Sequence, residues 1–157
     1  MIETPRLILR RWKPEDAEPF ATLNADPDVM RYFPAPLTRE ESDATIASIE
    51  ACFSHHGFCA WAAELRATQE FIGFIGLAVP SFEAHFTPCV EVAWRLASKF
   101  WNQGLATEGA KAAIADGFNR CGLGEIVALA VESNTPSRRV MEKLGMTHNG
   151  RDDFDHP

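Results

Sequence analysis

The chain has 157 residues, 46% of them hydrophobic, and a formal net charge of −7. That length makes one domain, spanning 1–157, with material for a substantial core, and the negative charge argues against a general nucleic-acid binder. No apolar run reaches the roughly 18 residues of a membrane helix and no basic-then-apolar leader opens the chain. The expectation is a soluble cytoplasmic protein, monomer or homodimer, with no nucleic-acid and no membrane partner.

Residues 6–12 read as a strand with Leu7 and Leu9 on one face. Pro14 opens a helix carrying Ala17, Phe20 and Ala21 at helical spacing, and Asp26-Pro27-Asp28 stops it. Thr38-Arg39-Glu40-Glu41 has the spacing of a capping box and starts a second helix through Ala44, Ile46, Ile49 and Phe53 to Gly57. Three strand patterns follow, Phe58 to Leu65, Phe71 to Val79 and Val90 to Leu96; the short polar turn Arg66 to Glu70 joins the first two as in a hairpin. Gly73 and Gly76 inside the second predict a bulge or a close backbone approach. The longer loop Pro80 to Pro88 is placed to line a substrate mouth. A long helix runs from about Leu105 to Arg120, with the stripe Ala106, Ala110, Ala113, Ile114 and Phe118 facing the sheet, and Gly122 and Gly124 end it. Glu125 to Val131 is a further strand. Thr135 and Pro136 supply an N-cap and a first-turn proline to a last helix, which Gly145 closes. The order β-α-α-β-β-β-α-β-α implies an α/β fold, a mixed sheet with helices on both faces.

The four cysteines, Cys52, Cys59, Cys89 and Cys121, form no Cys-x-x-Cys pair, which removes zinc and thioredoxin readings. Cys59 and Cys89 lie in apolar strand patterns and read as buried thiols. Adjacent His55-His56 cannot both face one metal from a helix, so no metal is expected. Trp12, Trp61, Trp94 and Trp101 read as core.

The most informative stretch is Phe100-Trp101-Asn102-Gln103-Gly104-Leu105-Ala106-Thr107-Glu108, between the last strand pattern and the long helix. A small-residue turn at a helix N-terminus is a phosphate cradle, because several N–H groups there have no intrahelical partner and the dipole favours an anion. It lacks the Lys-Ser/Thr pair of a nucleotide P-loop and the three-glycine spacing of a dinucleotide fold. A loop that holds a pyrophosphate by backbone alone suits coenzyme A.

The segment Val90-Glu91-Val92-Ala93-Trp94-Arg95-Leu96, followed by Phe100 to Gly109, resembles motif A of the GNAT N-acetyltransferases, in particular the RimJ/RimL-like (ribosomal-protein alanine acetyltransferase) branch. Glu3-Thr4-Pro5-Arg6-Leu7-Ile8-Leu9-Arg10 resembles that branch's opening strand, and Asn134 to Met146 resembles its second conserved block. The resemblance covers about residues 3–147. It implies the GNAT fold, in which the strands at 90–96 and 125–131, fourth and fifth in the order above, run parallel but splay apart. The pantetheine arm of acetyl-CoA enters that wedge and pairs with the exposed backbone of the first of them, here at Trp94, Arg95 and Leu96. The cradle residues are then Asn102, Gln103, Gly104, Leu105, Ala106 and Thr107; Asn102 departs from the glycine usual there. Asn134 resembles the asparagine that holds the pantetheine amide, or is a cap residue; Arg138 or Arg139 meets a coenzyme phosphate, or belongs to a solvated helix face.

Amine acetylation needs a bound thioester, a neutral amine, stabilisation of an oxyanion and a proton for the leaving thiolate. Glu91 is the candidate to take the amine's proton, directly or through water, since a carboxylate in an apolar strand either faces the wedge or pairs with a base such as Arg95. The tyrosine many GNAT enzymes use as acid falls at Met141, which cannot donate; Ser137, usual in this branch, could hydrogen-bond the sulfur or relay a proton. Tyr32 and Phe33 are placed at the acceptor site by the resemblance. The implied activity is acetyl-CoA-dependent N-acetylation of a protein or peptide α-amino group or a small amine, with an antibiotic or polyamine acetyltransferase, or a non-catalytic acyl-CoA-binding module, as alternatives. After Met146 the family continues with a sixth and often a seventh strand. Thr147-His148-Asn149 gives at most a short one, so the chain is expected to be shorter than its full gene product or to have this edge covered by a neighbouring chain.

Overall fold

Five strands pair in chain order into one antiparallel sheet in the computed structural model, which describes all residues from Met1 to Pro157. They are β1 (Ile2–Glu3), β2 (Leu7–Arg10), β3 (Ala60–Leu65), β4 (Phe71–Ala78) and β5 (Glu91–Leu96). The α-helices are α1 (Ala17–Ala25), α2 (Arg39–His56), α3 (Leu105–Asn119) and α4 (Thr135–Lys143). The mixed α/β class is as expected, with two changes. The opening segment is a hairpin rather than one strand: Thr4 turns the chain, its hydroxyl accepting from Leu7 N at 2.9 Å, so that Ile2 pairs with Leu9. The strand expected at Glu125 to Val131 contracts to one parallel bridge between Val127 and Glu91. Val127 donates to the Val90 carbonyl at 2.9 Å and accepts from Val92 N at 2.8 Å, and the pairing goes no further.

Local signals explain most element ends. Thr38 caps α2, taking Glu41 N at 3.2 Å while Glu41 Oε2 takes Thr38 N at 2.7 Å, and the helix ends at Gly57 as expected. Pro14–Asp16 forms a 3-10 turn that leads into α1. The cap of α4 is Asn134 rather than Thr135: its Oδ1 accepts from Ser137 N at 3.2 Å, because the asparagine oxygen reaches the third helical N–H. At the other end Met146 N bonds Met141 O and Gly145 N bonds Glu142 O, a Schellman closure.

The expected close approaches at the strand glycines are present. Register shifts between Ala63 and Glu64 opposite Gly73, whose φ is +136° and where a Cβ would lie 2.1 Å from the Arg95 carbonyl oxygen. At Gly76 a Cβ would meet the Cys59 carbonyl oxygen at 2.5 Å. Larger side chains at either site would push neighbouring strands apart.

The main core joins Leu7, Leu9, Ile72, Ile75, Leu77, Val92 and Leu96 of the sheet to Leu105, Ala110 and Ala113 of α3. The buried side of α3 is Leu105, Gly109, Ala110, Ala113 and Gly117, a stripe rotated from the expected one, and Phe118 is 44% exposed. Glycine sets this rotation. A Cβ on Gly109 would sit 2.4 Å from Ile75 Cδ1, so the helix backbone lies directly on the sheet. A second cluster of Phe20, Leu23, Val29 and Met30 seats α1, with the Phe20 ring 6.1 Å from that of Phe74. Arg10 is held by Asp16 at 2.7 Å and Glu64 at 2.6 Å, which ties the end of β2 to the start of α1 and raises the guanidinium's pKa. Cys59 is buried, its thiol pushed up to about 12 by desolvation; Cys89 lies outside the strands and is half-buried, a correction to the expected buried thiol. Trp61 is core, whereas Trp101 is 41% exposed. No helix is long and apolar enough to cross a membrane.

Gly109→Val is expected to cost about 1–3 kcal/mol of stability, as overpacking at a tight contact does, measured as a lower urea midpoint at unchanged m-value.

Candidate active site

The cradle is built at the start of α3. Gly104 has φ +76° and Asn102 φ +58°, two left-handed positions that turn the chain sharply into the helix. Asparagine is among the few non-glycine residues that accept this region readily, which accounts for Asn102 where glycine is usual. The first intrahelical bond is Glu108 N to the Gly104 carbonyl at 3.0 Å, and no side chain caps the helix. The N–H groups of Leu105, Ala106 and Thr107 therefore have no intrahelical acceptor. Gln103 and Gly104 are exposed beside them.

This turn is clamped by the opening hairpin, through Thr4 and Arg6. Glu108 Oε1 accepts from Thr4 Oγ1 at 2.7 Å and from Arg6 N at 2.8 Å, and Oε2 accepts from Arg6 Nε at 2.6 Å. Arg6 Nη1 also donates to the Gln103 carbonyl at 2.8 Å. Desolvation raises the Glu108 pKa, but the hydrogen bonds from Thr4 and Arg6 outweigh it and hold the carboxyl below its ordinary range.

The wedge lies along β5. Val90 and Val92 turn their peptide groups toward Val127. By the alternation of a strand, Trp94 presents its N–H and C=O to that same edge, beyond the point where pairing stops. Arg95 pairs with Phe74 inside the sheet, and the Leu96 carbonyl is taken by Trp101 Nε1 at 2.8 Å. Of Trp94, Arg95 and Leu96, the first thus offers the open backbone. Glu91 sits at the mouth of the splay, half-buried, with no hydrogen bond or ion pair to its carboxylate.

A profile described as the acetyltransferase (GNAT) domain matches residues 6–147. The uncharacterized protein YkkB of Bacillus subtilis is 31% identical over 147 residues, 93% of this chain and 84% of YkkB. The FsC-acetyl coenzyme A-N(2)-transacetylase of Aspergillus fumigatus is 34% identical over 154 residues, 94% of this chain and 65% of that protein. A solved GNAT-family acetyltransferase from Bacillus anthracis superposes with a TM-score of 0.80 at 29% identity, over 95% of this chain and 84% of that one. The chain belongs to the GNAT acetyltransferase family.

As a GNAT enzyme it is an acetyltransferase, and GNAT enzymes take their acetyl group from acetyl-CoA. The unpaired N–H groups at the start of α3 and the open Trp94 edge fit such a donor. In this GNAT chain Asn134 spends its Oδ1 on the α4 cap and keeps its Nδ2 free of protein partners. Ser137 is half-buried in the first turn of α4. Arg138 and Arg139 are both exposed; Arg138 donates to the Glu132 carbonyl at 3.1 Å. Tyr32 and Phe33 follow α1, and Phe33 stacks on the Arg95 guanidinium, 4.4 Å from its ring centroid. The Pro80 to Pro88 loop carries Phe82 and Phe86, against which Phe154 of the C-terminal segment packs at 5.5 and 4.8 Å between centroids.

The electrostatics of Glu91 are those of a carboxyl losing water. Burial raises its pKa, and the smaller opposing effect comes from His156. The ion pair with Arg95 considered above does not form, since Arg95 Nη1 goes to Asn24 Oδ1 at 2.7 Å. A carboxyl whose pKa is higher folded than unfolded holds its proton more tightly in the folded state. Its ionisation then costs stability as pH rises from the unfolded value, about 4.3, through the folded one. Glu91→Gln is therefore expected to raise Tm relative to wild type at pH 8, with the gap closing toward pH 4, in thermal melts across that range.

Proposed function

We propose that this GNAT enzyme transfers the acetyl group of acetyl-CoA to the nitrogen of a protein or peptide α-amino terminus or of a small amine, with Glu91 as the proton acceptor. The observation that carries the reading is the isolated Glu91 carboxyl, half-buried and without an ion-pair partner at the mouth of the β5 splay. A structural glutamate would be neutralised by a base; this one is free to take a proton. The relative named an N(2)-transacetylase supports acetyl transfer to nitrogen.

Bound acetyl-CoA supplies a thioester carbonyl open to attack by an amine. The residues of this chain do the rest. Gln103 to Thr107 turn backbone N–H groups toward the pyrophosphate, which the helix dipole also favours. Trp94 pairs with the pantetheine arm as a neighbouring strand would, and Asn134 Nδ2 donates to an arm carbonyl. Glu91, kept basic by a raised pKa, accepts the proton of the attacking amine directly or through one water. Ser137 donates to the departing sulfur; solvent also serves, because a thiol of ordinary pKa near 8.5 leaves readily. Met141 cannot fill that role.

Gly104→Val is expected to weaken acetyl-CoA binding in calorimetry. The cause is conformation rather than crowding: a Cβ there meets only Arg6 Nη2, at 3.5 Å, but φ of +76° is hostile to a β-branched residue. Unchanged affinity would remove the cradle assignment.

Glu91→Gln is expected to lower kcat by about 10²–10⁴-fold, the usual loss for a general base, and by more at pH 7 than at pH 9, where more of the amine is already neutral. In the wild type the acid limb of the kcat/KM profile should lie above the ordinary carboxylate range, matching the raised pKa of Glu91. Coenzyme A release across an amine panel reads both, and a variant profile indistinguishable from wild type leaves Glu91 structural.

A further inference from the structure

Arg95 is a cation without an acid. Arg10, the other largely enclosed arginine, holds two carboxylates. Arg95 has no carboxylate within ion-pair distance. Its one hydrogen bond runs from Nη1 to the neutral Asn24 Oδ1, at 2.7 Å, and its Nε is fully enclosed with no acceptor. Asn24 is itself fully buried and fixed by its bond from Nδ2 to Ser42 Oγ at 2.9 Å. The guanidinium carbon lies within cation–π distance of two rings, Phe33 at 4.4 Å and Phe74 at 5.4 Å. Burial lowers its pKa to about 10, so it remains charged at neutral pH. An enclosed charge with a free donor is costly unless an anion completes it.

Its position says which anion that is. Glu91, Ala93 and Arg95 alternate onto one face of β5. The small Ala93 leaves the floor between them low, and Phe33, 46% exposed, stacks on the guanidinium at the Arg95 end. The face therefore has a proton acceptor at one end and a forked cation at the other, about 13 Å apart along the strand.

We infer that Arg95 is an anion receptor for the acceptor, and that the physiological acceptor is an amine carrying a carboxylate several bonds from its nitrogen. This rests on the acetyltransferase reading above and narrows it. A compact α-amino acid does not reach both ends of the face. A peptide amino terminus with an acidic second or third residue does, as does an extended ω-amino acid. With Nε enclosed, the planar guanidinium has Nη2 and the second hydrogen of Nη1 for a carboxylate, a fork that an ammonium cannot imitate.

The test compares acid and amide partners of the same amine: the peptide amides Ser-Glu-Ala and Ser-Gln-Ala, and 6-aminohexanoate with its amide, each assayed for coenzyme A release. The wild type is expected to favour the acid member at least about tenfold in kcat/KM, the scale of a charge-assisted pair. Arg95→Gln is expected to erase that preference and Arg95→Lys to restore it only in part. The peptide and hexanoate arms show which source of carboxylate fits. Equal turnover of acid and amide by the wild type overturns the proposal, and needs no variant to fold. So does an Arg95→Gln effect that falls equally on both members or on acetyl-CoA affinity. If no amine is acetylated although acetyl-CoA binds, the acetyl-transfer reading fails by itself. The acid and amide are then titrated calorimetrically into coenzyme A-loaded protein: tighter binding of the acid upholds the anion site, and equal or absent binding removes it.

Discussion

The carboxylate of Glu108 is the joint on which the start of α3 and the turn before it depend. It stands in the first turn of α3 and takes hydrogen bonds from Thr4 and twice from Arg6, and Arg6 in turn reaches the carbonyl of Gln103. Hairpin, helix and loop become one rigid body. With the Gln103 carbonyl drawn toward Arg6, the loop N–H groups are free to face outward. An acid in the first turn also suits the helix dipole, and this one is spent on Thr4 and Arg6 rather than on the N–H groups of Leu105 to Thr107. The close seat of α3 on Ile75, allowed by Gly109, fixes the same body against the sheet.

From this base β5 works in three directions. Val92 and Leu96 point into the core, where α3 holds them. Trp94 turns its peptide groups to the open edge. Glu91, Ala93 and Arg95 lie on the face that α1 and the Phe33 turn cover at one end. A six-residue strand thus carries an open backbone edge at Trp94 and, on one face, Glu91 and Arg95. Because β4 pairs with β5 along its whole length, displacement of one of these residues would disturb the others.

Much of this was legible in the sequence because the signals are local. The capping box at Thr38 and Glu41, the hairpin around Arg66 to Glu70 and the glycines at helix ends are read within a few residues of where they act. The turn at Asn102 to Thr107 was legible for the same reason: helix ends expose donors whatever the rest of the fold does. What failed depends on distance. Residues 125–131 have strand composition, yet a parallel neighbour that splays away leaves one bridge, and composition does not encode divergence. Phe118 has helical periodicity, but the glycines at 109 and 117 decide which side of α3 touches the sheet. Thr135 and Asn134 are both good caps, and the helix starts one residue earlier than the threonine would set, with Thr135 already in its first turn. The partners of Arg95 could not be read at all: Asn24 lies 71 residues away, and nothing in Val92 to Leu96 indicates an arginine without an acid.

The unpaired stretch of β5 also bears on how the protein behaves in solution when nothing fills its wedge. Backbone donors and acceptors left along a strand edge are a template for any extended chain, including another copy of this one. A ligand lying along Trp94 would occupy that template as well as meeting the catalytic groups. Ligand occupancy would then bear on colloidal stability: an extended ligand along Trp94 would mask an edge that the ligand-free protein leaves open.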